Sequence, residues 1–169
     1  MNRKKEMEKF KMKKSYYLAY GSNLNMAQMA FRCPEAKLIG KAVINDWMLL
    51  FTRNARGSGA YLTIKPCKGK SVPVAIWEVS PSDVVSLDLY EGFPSFYYKR
   101  EFTLRVKAKG RMRNVKAFAY IMNDAAVPGI PSENYIHTCA QGYHDLNFDS
   151  NILVEAVRAS CEAIIGKDD

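Results

Sequence analysis

The sequence predicts an α+β fold whose core is a small, curled sheet or barrel flanked by helices. Strand-like segments dominate the middle of the chain, helical patterns gather toward its end, and few helices separate successive strands. With 169 residues, of which 48% are apolar, the chain is long enough to bury one substantial core. No segment is typical of a linker between domains, so we expect a single domain over residues 15–169.

Alternation of apolar and polar residues, together with β-branched and aromatic composition, identifies the strands. Strands are predicted over residues 16–20, 38–52, 60–64, 72–79, 101–106 and 115–122. The segment 38–52 is interrupted at Asn45 and Asp46, which predicts two strands joined by a tight turn. Helices are predicted over residues 24–33, within 80–93, and over 132–143 and 149–165.

The net charge of +8 is concentrated at the N-terminus. Residues 1–14 hold seven Lys and Arg and two Glu, which account for five of these charges. Such a segment is typical of a basic, flexible arm, and the remainder lacks the basic stripe of a nucleic-acid-binding surface. Because no membrane-spanning or secretory segment is apparent, we expect a cytoplasmic protein, with a homodimer as a possible assembly.

The four cysteines are scattered without CxxC spacing, and no metal-binding pattern surrounds the two histidines. We therefore expect reduced cysteines, no metal and no cofactor.

Residues 17–25, YLAYGSNLN, are more informative, because a buried strand ends abruptly in small, hydrogen-bonding residues. One interpretation is a plain strand-to-helix connection with Gly21 at positive φ and Asn25 capping the helix. The other is a set of backbone N–H groups that binds an anion.

A carboxylate on an apolar helix face is the second informative feature. In SPSDVVSLDLYEGF, residues 80–93, Pro81 suits the first helical turn and Gly92 suits the helix end. Glu91 shares a face with Val84 and Leu87, where burial would raise its pKa toward the value that proton transfer requires. Alternatively, Glu91 reaches solvent or pairs with Lys99 or Arg100, and Asp88 faces solvent or caps a loop.

YLAYGSNLN followed by LDLYEGFPSFYYKREF resembles the γ-glutamylcyclotransferase family, which includes the AIG2-like proteins. The resemblance covers residues 16 to about 147 and implies a small mixed β-barrel with one pocket at its mouth. It also implies that Glu91 is the catalytic general acid and base. The implied substrate-binding residues are Tyr17, Leu18, Ala19, Tyr20, Gly21, Ser22, Asn23, Tyr98 and Tyr135.

The family reaction releases 5-oxoproline and a free amine from small γ-glutamyl compounds by intramolecular attack of the α-amine. Two departures bear on the pocket. Tyr61 and Leu62 are bulkier than the residues common there in the family, which would narrow it. The loop 53–59 carries Arg53 and Arg56, which are either solvated or placed to receive an acidic leaving group.

Other functions stay open at this point. The leaving amine could belong to a γ-glutamylamine or to a γ-glutamyl-protected antibiotic intermediate of the butirosin-pathway type. A catalytically silent barrel that binds an acidic metabolite is another possibility, although Glu91 would disfavour anion binding. A hydrolase built on Cys139 and His137 is disfavoured, because side chains two positions apart on a helix point in different directions.

Overall fold

A computed structural model describes residues 3–11, 13–57 and 59–166. Six strands are described: β1 (Ser15–Ala19), β2 (Lys37–Arg53), β3 (Ala60–Val79), β4 (Tyr97–Ala108), β5 (Arg111–Met122) and β6 (Val127–Pro128). The described helices are α1 (Arg3–Lys11), α2 (Met26–Arg32), α3 (Pro81–Glu91), α4 (Glu133–Asp145) and α5 (Asn151–Ile165), with a 3₁₀ helix at Ser22–Leu24.

Within the described residues, five strands close into a mixed barrel in the order β3-β1-β5-β4-β2, because β2 also pairs with β3. The β1–β5 pair is parallel, whereas the other pairs are antiparallel. The short strand β6 adds to β2 at Thr52 and Arg53. The predicted α+β class with a small, mixed barrel is therefore confirmed.

β2 and β3 form one long antiparallel ladder from Lys37↔Glu78 to Arg53↔Ala60. The prediction of two strands and a tight turn at Asn45 and Asp46 is wrong, since β2 runs through this point. Asp46 instead lies at a register shift between β2 and β3, with φ of 62°, a conformation that Asp tolerates better than most residues. The predicted strands 60–64 and 72–79 are likewise parts of one strand, β3.

The predicted N-terminal arm is described only in part, because residues 1, 2 and 12 lie outside the described residues. Arg3–Lys11 forms the helix α1, and residues 3–9 have exposed side chains. The flexibility of this segment stays a prediction. In the part of the chain that the structure describes, no helix is long and apolar enough to cross a membrane.

Sequence signals for the start and end of α3 are confirmed. The Ser80 hydroxyl accepts a hydrogen bond from the Asp83 N–H, and the Asp83 carboxylate accepts one from the Ser80 N–H, both at 3.1 Å. This reciprocal pair satisfies two donors that the helix would otherwise leave free. Gly92 ends the helix at φ of 67°, which glycine adopts without steric cost. The helix end that carries Glu91 is thus fixed by local chemistry.

Candidate active site

A cavity of about 320 Å³ lies where the turn after β1 meets the end of α3 and the first half of α4. Its lining comprises Tyr17, Tyr20, Gly21, Ser22, Asn23, Tyr61, Leu62, Leu89, Tyr90, Glu91, Gly92, Phe96, Tyr97, Tyr120 and Tyr135. Among the described residues, Glu91 is the one acidic or basic side chain in this wall, and seven tyrosines surround it. The cavity therefore presents one ionisable carboxyl in a largely aromatic enclosure.

Glu91 is half-buried at the C-terminal end of α3, with Leu87 fully buried one turn earlier. Burial raises its pKa from 4.5 to about 7, and the nearby positive charge of Arg32 acts in the opposite direction. Neither alternative ion pair forms. Lys99 lies 2.8 Å from the Asp88 carboxylate, and the Arg100 guanidinium lies 4.9 Å from the ring centroid of Trp47.

The turn after β1 lies beside the end of α3, where the Ser22 and Tyr90 hydroxyls are 3.2 Å apart. Asn25 caps α2 by accepting a hydrogen bond of 3.0 Å from the Gln28 N–H, as predicted. Gly21 has φ of −126°, so the expectation of positive φ is wrong. Its small size matters instead, because a Cβ there would lie 3.3 Å from the Tyr135 hydroxyl.

The backbone N–H groups of Gly21, Ser22 and Asn23 lack a described hydrogen-bond partner. Within residues 3–11, 13–57 and 59–166, no hydrogen bond engages them. They belong to residues that line the cavity at the start of a 3₁₀ helix, where N–H groups have no intrahelical partner. Unpaired backbone N–H groups are the kind of donor that an anionic group or a developing oxyanion requires.

Helix α4 packs directly against this turn. A Cβ on Gly142 would lie 2.6 Å from the carbonyl carbon of Leu24, which leaves no room for a side chain. The Asn25 side chain donates a hydrogen bond of 3.2 Å to the Thr138 carbonyl. Close backbone contact and this hydrogen bond hold the turn in place relative to the barrel.

The cavity tyrosines are held by hydrogen bonds to the backbone. Tyr135 accepts from the Leu62 N–H, and Tyr97 donates to the Leu62 carbonyl, both at 3.1 Å. Tyr20 donates to the Tyr120 carbonyl. Burial raises the pKa of Tyr20, Tyr97 and Tyr135 well above their ordinary value, so these side chains stay neutral at physiological pH.

The structure brings most of the predicted site residues to one cavity, but not all. Tyr17, Glu91, Tyr135 and the segment 20–23 line it. Leu18 and Ala19 are fully buried in β1 and lie outside the lining.

Tyr98 is 39% exposed and also lies outside the cavity lining. Tyr97 lines the cavity instead, because successive residues of a strand point to opposite faces. The predicted roles of Tyr98, Leu18 and Ala19 stay predictions.

Several residues near the site were missed from the sequence. Tyr90, Phe96, Tyr97 and Tyr120 line the cavity, and Arg32 donates a hydrogen bond to the Asn23 side chain. Tyr90 and Tyr97 stand close to Glu91 in sequence, which was the available signal. The sequence around Arg32 carried no signal of a functional role, because a basic residue in the last turn of a helix is common.

The structure also shows where the residues that depart from the family pattern lie relative to the cavity. Tyr61 and Leu62 line the cavity, whereas Arg53 and Arg56 do not. Arg53 donates to three carbonyls of its own loop, at distances of 3.1 to 3.4 Å.

The Cys139 and His137 side chains are differently placed on α4. Cys139 is fully buried, and burial raises the pKa of its thiol to about 12, whereas His137 is exposed. This geometry does not support a Cys–His hydrolase.

Residues 17–137 match the family described as gamma-glutamyl cyclotransferase, AIG2-like. A mouse protein named gamma-glutamylcyclotransferase is 29% identical over 133 residues, which cover 75% of this chain and 68% of the mouse protein. A solved structure described as gamma-glutamyl cyclotransferase superposes with a TM-score of 0.73 at 23% identity, covering 85% of this chain and 86% of that one.

The crystal structure of an uncharacterized human protein superposes with a TM-score of 0.71 at 24% identity, covering 85% of this chain and 86% of the human one. At these identities the structural likenesses show the fold. The family match spans most of the chain, and this protein therefore belongs to the gamma-glutamyl cyclotransferase, AIG2-like family.

Proposed function

We propose that this protein is a γ-glutamyl cyclotransferase that converts a small γ-glutamyl compound to 5-oxoproline and a free amine. The observation that carries the proposal is that Glu91, with a pKa of about 7, lines the same cavity as Gly21, Ser22 and Asn23, whose backbone N–H groups have no partner among the described residues. The family match and the name of the mouse relative support the same reaction.

Glu91 supplies the proton transfers that this cyclisation needs. The α-amine of a γ-glutamyl compound is largely an ammonium ion near neutral pH, so it must lose a proton before it can attack. Glu91 accepts that proton, and the amine nitrogen forms a bond to the γ-carbonyl carbon. When the bond from this carbon to the leaving nitrogen breaks, Glu91 returns the proton to the leaving amine. On forming the ring, the attacking nitrogen gives up a second proton, and the released amine takes up a proton to become an ammonium ion. Atoms and charges then balance without a covalent intermediate on the protein.

The turn holds the γ-glutamyl part of the substrate. The N–H groups of Gly21, Ser22 and Asn23 provide hydrogen-bond donors for its carboxylate or for the developing oxyanion. Donors aimed at an oxyanion contribute about 3 kcal/mol each in comparable sites. The amides are held by the backbone, so they need little reorganisation as charge develops.

The size of the cavity favours a small substrate. Ligand pockets typically span about 300–1,000 Å³, and the cavity of about 320 Å³ lies at the lower end. A narrow aromatic enclosure favours a folded glutamyl chain, in which the α-amine approaches the γ-carbonyl. Intramolecular reactions gain most of their rate from such enforced proximity.

The reaction is tested by measuring 5-oxoproline release by mass spectrometry from γ-glutamyl dipeptides, γ-glutamyl-lysine and γ-glutamyl aminoglycosides. We expect release by the wild type and its loss in Glu91→Gln, which keeps the shape of the side chain but cannot act as a base. The matched control is Glu101→Gln, because Glu101 is exposed and pairs with Lys116 at 3.0 Å. If the wild type binds these compounds but releases nothing, the site is a non-catalytic binder of acidic metabolites.

The charge of the cavity favours γ-glutamylamines among the possible substrates. No Lys, Arg or His is found among the residues with described placement that line the wall. The leaving nitrogen must approach Glu91, so an α-amino acid leaving group would bring its carboxylate close to another carboxylate. The matched pair γ-glutamyl-phenylalanine and γ-glutamyl-phenethylamine differs only in that carboxylate. We expect a higher kcat/KM for the amine, and the opposite preference would exclude γ-glutamylamines as the favoured class.

A further inference from the structure

Asn23 stands between two groups of opposite hydrogen-bonding character. Its side chain is almost fully buried, and its Oδ1 accepts a hydrogen bond from Arg32 Nη1. Its Nδ2 donates to the Tyr17 hydroxyl at 2.9 Å and faces Glu91 Oε1 at 3.4 Å. A guanidinium only donates, and an ionised carboxylate only accepts. With Oδ1 toward Arg32 and Nδ2 toward Glu91, the amide therefore satisfies both neighbours. In the flipped orientation, Nδ2 would face the donors of Arg32, and Oδ1 would face the acceptors of Glu91.

Arg32 is itself held in place from two directions. Its Nη2 donates a hydrogen bond of 2.9 Å to Gln28 Oε1, one turn earlier on α2. The guanidinium carbon lies 3.3 Å from the ring centroid of Tyr90, a close cation–π contact. Tyr90 precedes Glu91 in α3, and its hydroxyl lies 3.2 Å from Ser22 Oγ. Arg32 thus connects the turn to the end of α3, which are the two walls that the proposed reaction uses.

We propose that Arg32 is a positioning residue: its guanidinium fixes the Asn23 amide with Nδ2 toward Glu91 and holds Tyr90 against the turn. This inference rests on the proposed cyclotransferase reaction, in which Glu91 transfers the proton. Arg32 is absent from the cavity lining, so it acts through Asn23 and Tyr90 rather than on the substrate.

Arg32 also influences the charge state of Glu91. Tyr61 of β3 and Tyr90 of α3 share the cavity wall with Glu91. The other ionisable groups described around Glu91 are Arg32 of α2, Tyr17 of β1, Tyr20 of the turn, Tyr97 of β4, Tyr120 of β5 and Tyr135 of α4. Burial raises the pKa of these tyrosines, so Arg32 is the one charged group of this set near neutrality. Its positive charge favours the ionised carboxylate and lowers the pKa of Glu91.

The test compares Arg32→Met, which removes charge and donors, with Arg32→Lys, which keeps the charge without the forked donors. For Arg32→Met we expect kcat to fall about 10- to 100-fold, and the rising limb of the pH profile of kcat/KM to move to higher pH. For Arg32→Lys we expect the limb to stay near its wild-type position and kcat to fall less. The matched control is Arg158→Met, an exposed arginine on α5.

A double-mutant cycle with Asn23→Ala separates positioning from a general loss of stability. If Arg32 acts through Asn23, the effect of Arg32→Lys on kcat shrinks in the Asn23→Ala background. Full additivity of the two effects, or an Arg32→Met variant with wild-type kcat and pH profile, would overturn the proposal. A variant that unfolds more readily but whose folded fraction turns over normally would also overturn it.

A readout without substrate distinguishes this proposal from the proposed function. The side-chain carboxyl carbon of Glu91 can be titrated by NMR in labelled protein and assigned by its loss in Glu91→Gln. We expect the titration to move to higher pH in Arg32→Met and to stay near the wild type in Arg32→Lys. If the wild type releases no 5-oxoproline, the proposed function fails, and this titration still decides whether Arg32 controls Glu91. An unchanged titration in Arg32→Met rejects that control.

Discussion

Asn23 Nδ2 lies 3.4 Å from Glu91 Oε1, although 68 positions separate the two residues in the chain. This contact is longer than the usual 2.9–3.0 Å of an N–H···O hydrogen bond, so it stabilises the carboxylate only weakly. Short hydrogen bonds to an ionised carboxylate lower its pKa, as does a nearby cation. The Asn23 contact is loose, and the Arg32 cation contacts Asn23 rather than Glu91. Burial therefore dominates the pKa of Glu91, which is about 7. The relationship suits a group that must both accept and release a proton.

The first prediction concerns the pH dependence of the reaction. Glu91 must be ionised to act as a base, and its pKa is about 7, so kcat/KM rises with pH through that region. Steady-state rates of 5-oxoproline release between about pH 5 and 9 measure the profile. A profile that is already flat from about pH 5 would show that no carboxyl with a raised pKa controls the reaction.

The second prediction concerns stability. Unfolded Glu91 loses its proton near its ordinary pKa of 4.5, whereas the folded protein holds the proton to about pH 7. The folded state binds more protons in this window, so the Glu91 contribution to stability is lost as pH rises from about 4.5 to 7. Glu91→Gln does not titrate. The free energy of unfolding of Glu91→Gln, taken relative to that of the wild type, should therefore increase by about 3 kcal/mol between about pH 4 and pH 8.

Urea unfolding of both proteins at the two pH values measures this difference. Glu101→Gln provides the control, because the Glu101 side chain is 64% exposed and the substitution should change stability little at either pH. A constant difference between Glu91→Gln and the wild type would mean that Glu91 ionises at its ordinary pKa in the folded protein.

The elements and the chemistry at their ends were predictable because the signals are local. Alternation identified the strands, and Ser80, Pro81 and Gly92 marked the ends of α3. The continuity of β2 was not predictable in the same way. Asn and Asp favour turns, but whether Asp46 turns the chain or only shifts the strand register depends on the strand that pairs opposite it.

Part of the predicted set of site residues comes together in one cavity for the same reason. Glu91 and the turn 20–23 carry local patterns, and they meet because α3 follows β3, the strand that pairs with β1. The orientation of Tyr97 and Tyr98 depends on the register of β4 against β5, where Tyr97 lies opposite Met122. A shift of one residue exchanges the two faces, and the sequence of this aromatic pair does not fix that register. Arg32 was missed because two of its three partners, Asn23 and Tyr90, come from other segments of the chain.

The third prediction compares these neighbouring tyrosines. Tyr97→Phe removes the donor to the Leu62 carbonyl at 3.1 Å and leaves that buried group unsatisfied. We expect a loss of about 1–3 kcal/mol of stability and a lower kcat/KM, because Leu62 lines the cavity. Tyr98→Phe should change stability by less than about 0.5 kcal/mol, since Tyr98 is exposed.

Urea unfolding and 5-oxoproline release of the two variants decide the matter. If Tyr98→Phe loses activity while its stability is unchanged, Tyr98 contacts the substrate despite its place outside the cavity lining. If Tyr97→Phe matches the wild type in both respects, the hydrogen bond to Leu62 contributes nothing measurable.

The fourth prediction concerns the support of the turn by α4. Alanine is ordinarily more favourable than glycine within a helix by about 1 kcal/mol. At Gly142, however, the added Cβ would lie 2.6 Å from the Leu24 carbonyl carbon and 2.8 Å from the Asn25 nitrogen. Backbone atoms cannot move aside as a flexible side chain can, so the steric overlap outweighs the helix preference. We expect Gly142→Ala to lose about 2–3 kcal/mol of stability.

Displacement of the turn should also lower kcat/KM in Gly142→Ala, because the free N–H groups of residues 21–23 would move relative to Glu91. Gly166→Ala is the matched control: Gly166 has φ of −71°, and its Cβ would lie 3.4 Å from the nearest atom, the Glu162 carbonyl oxygen. Thermal unfolding and 5-oxoproline release measure both variants. Wild-type stability of Gly142→Ala would show that α4 and the turn are farther apart than this packing requires, and it would remove α4 as the element that positions the candidate anion site.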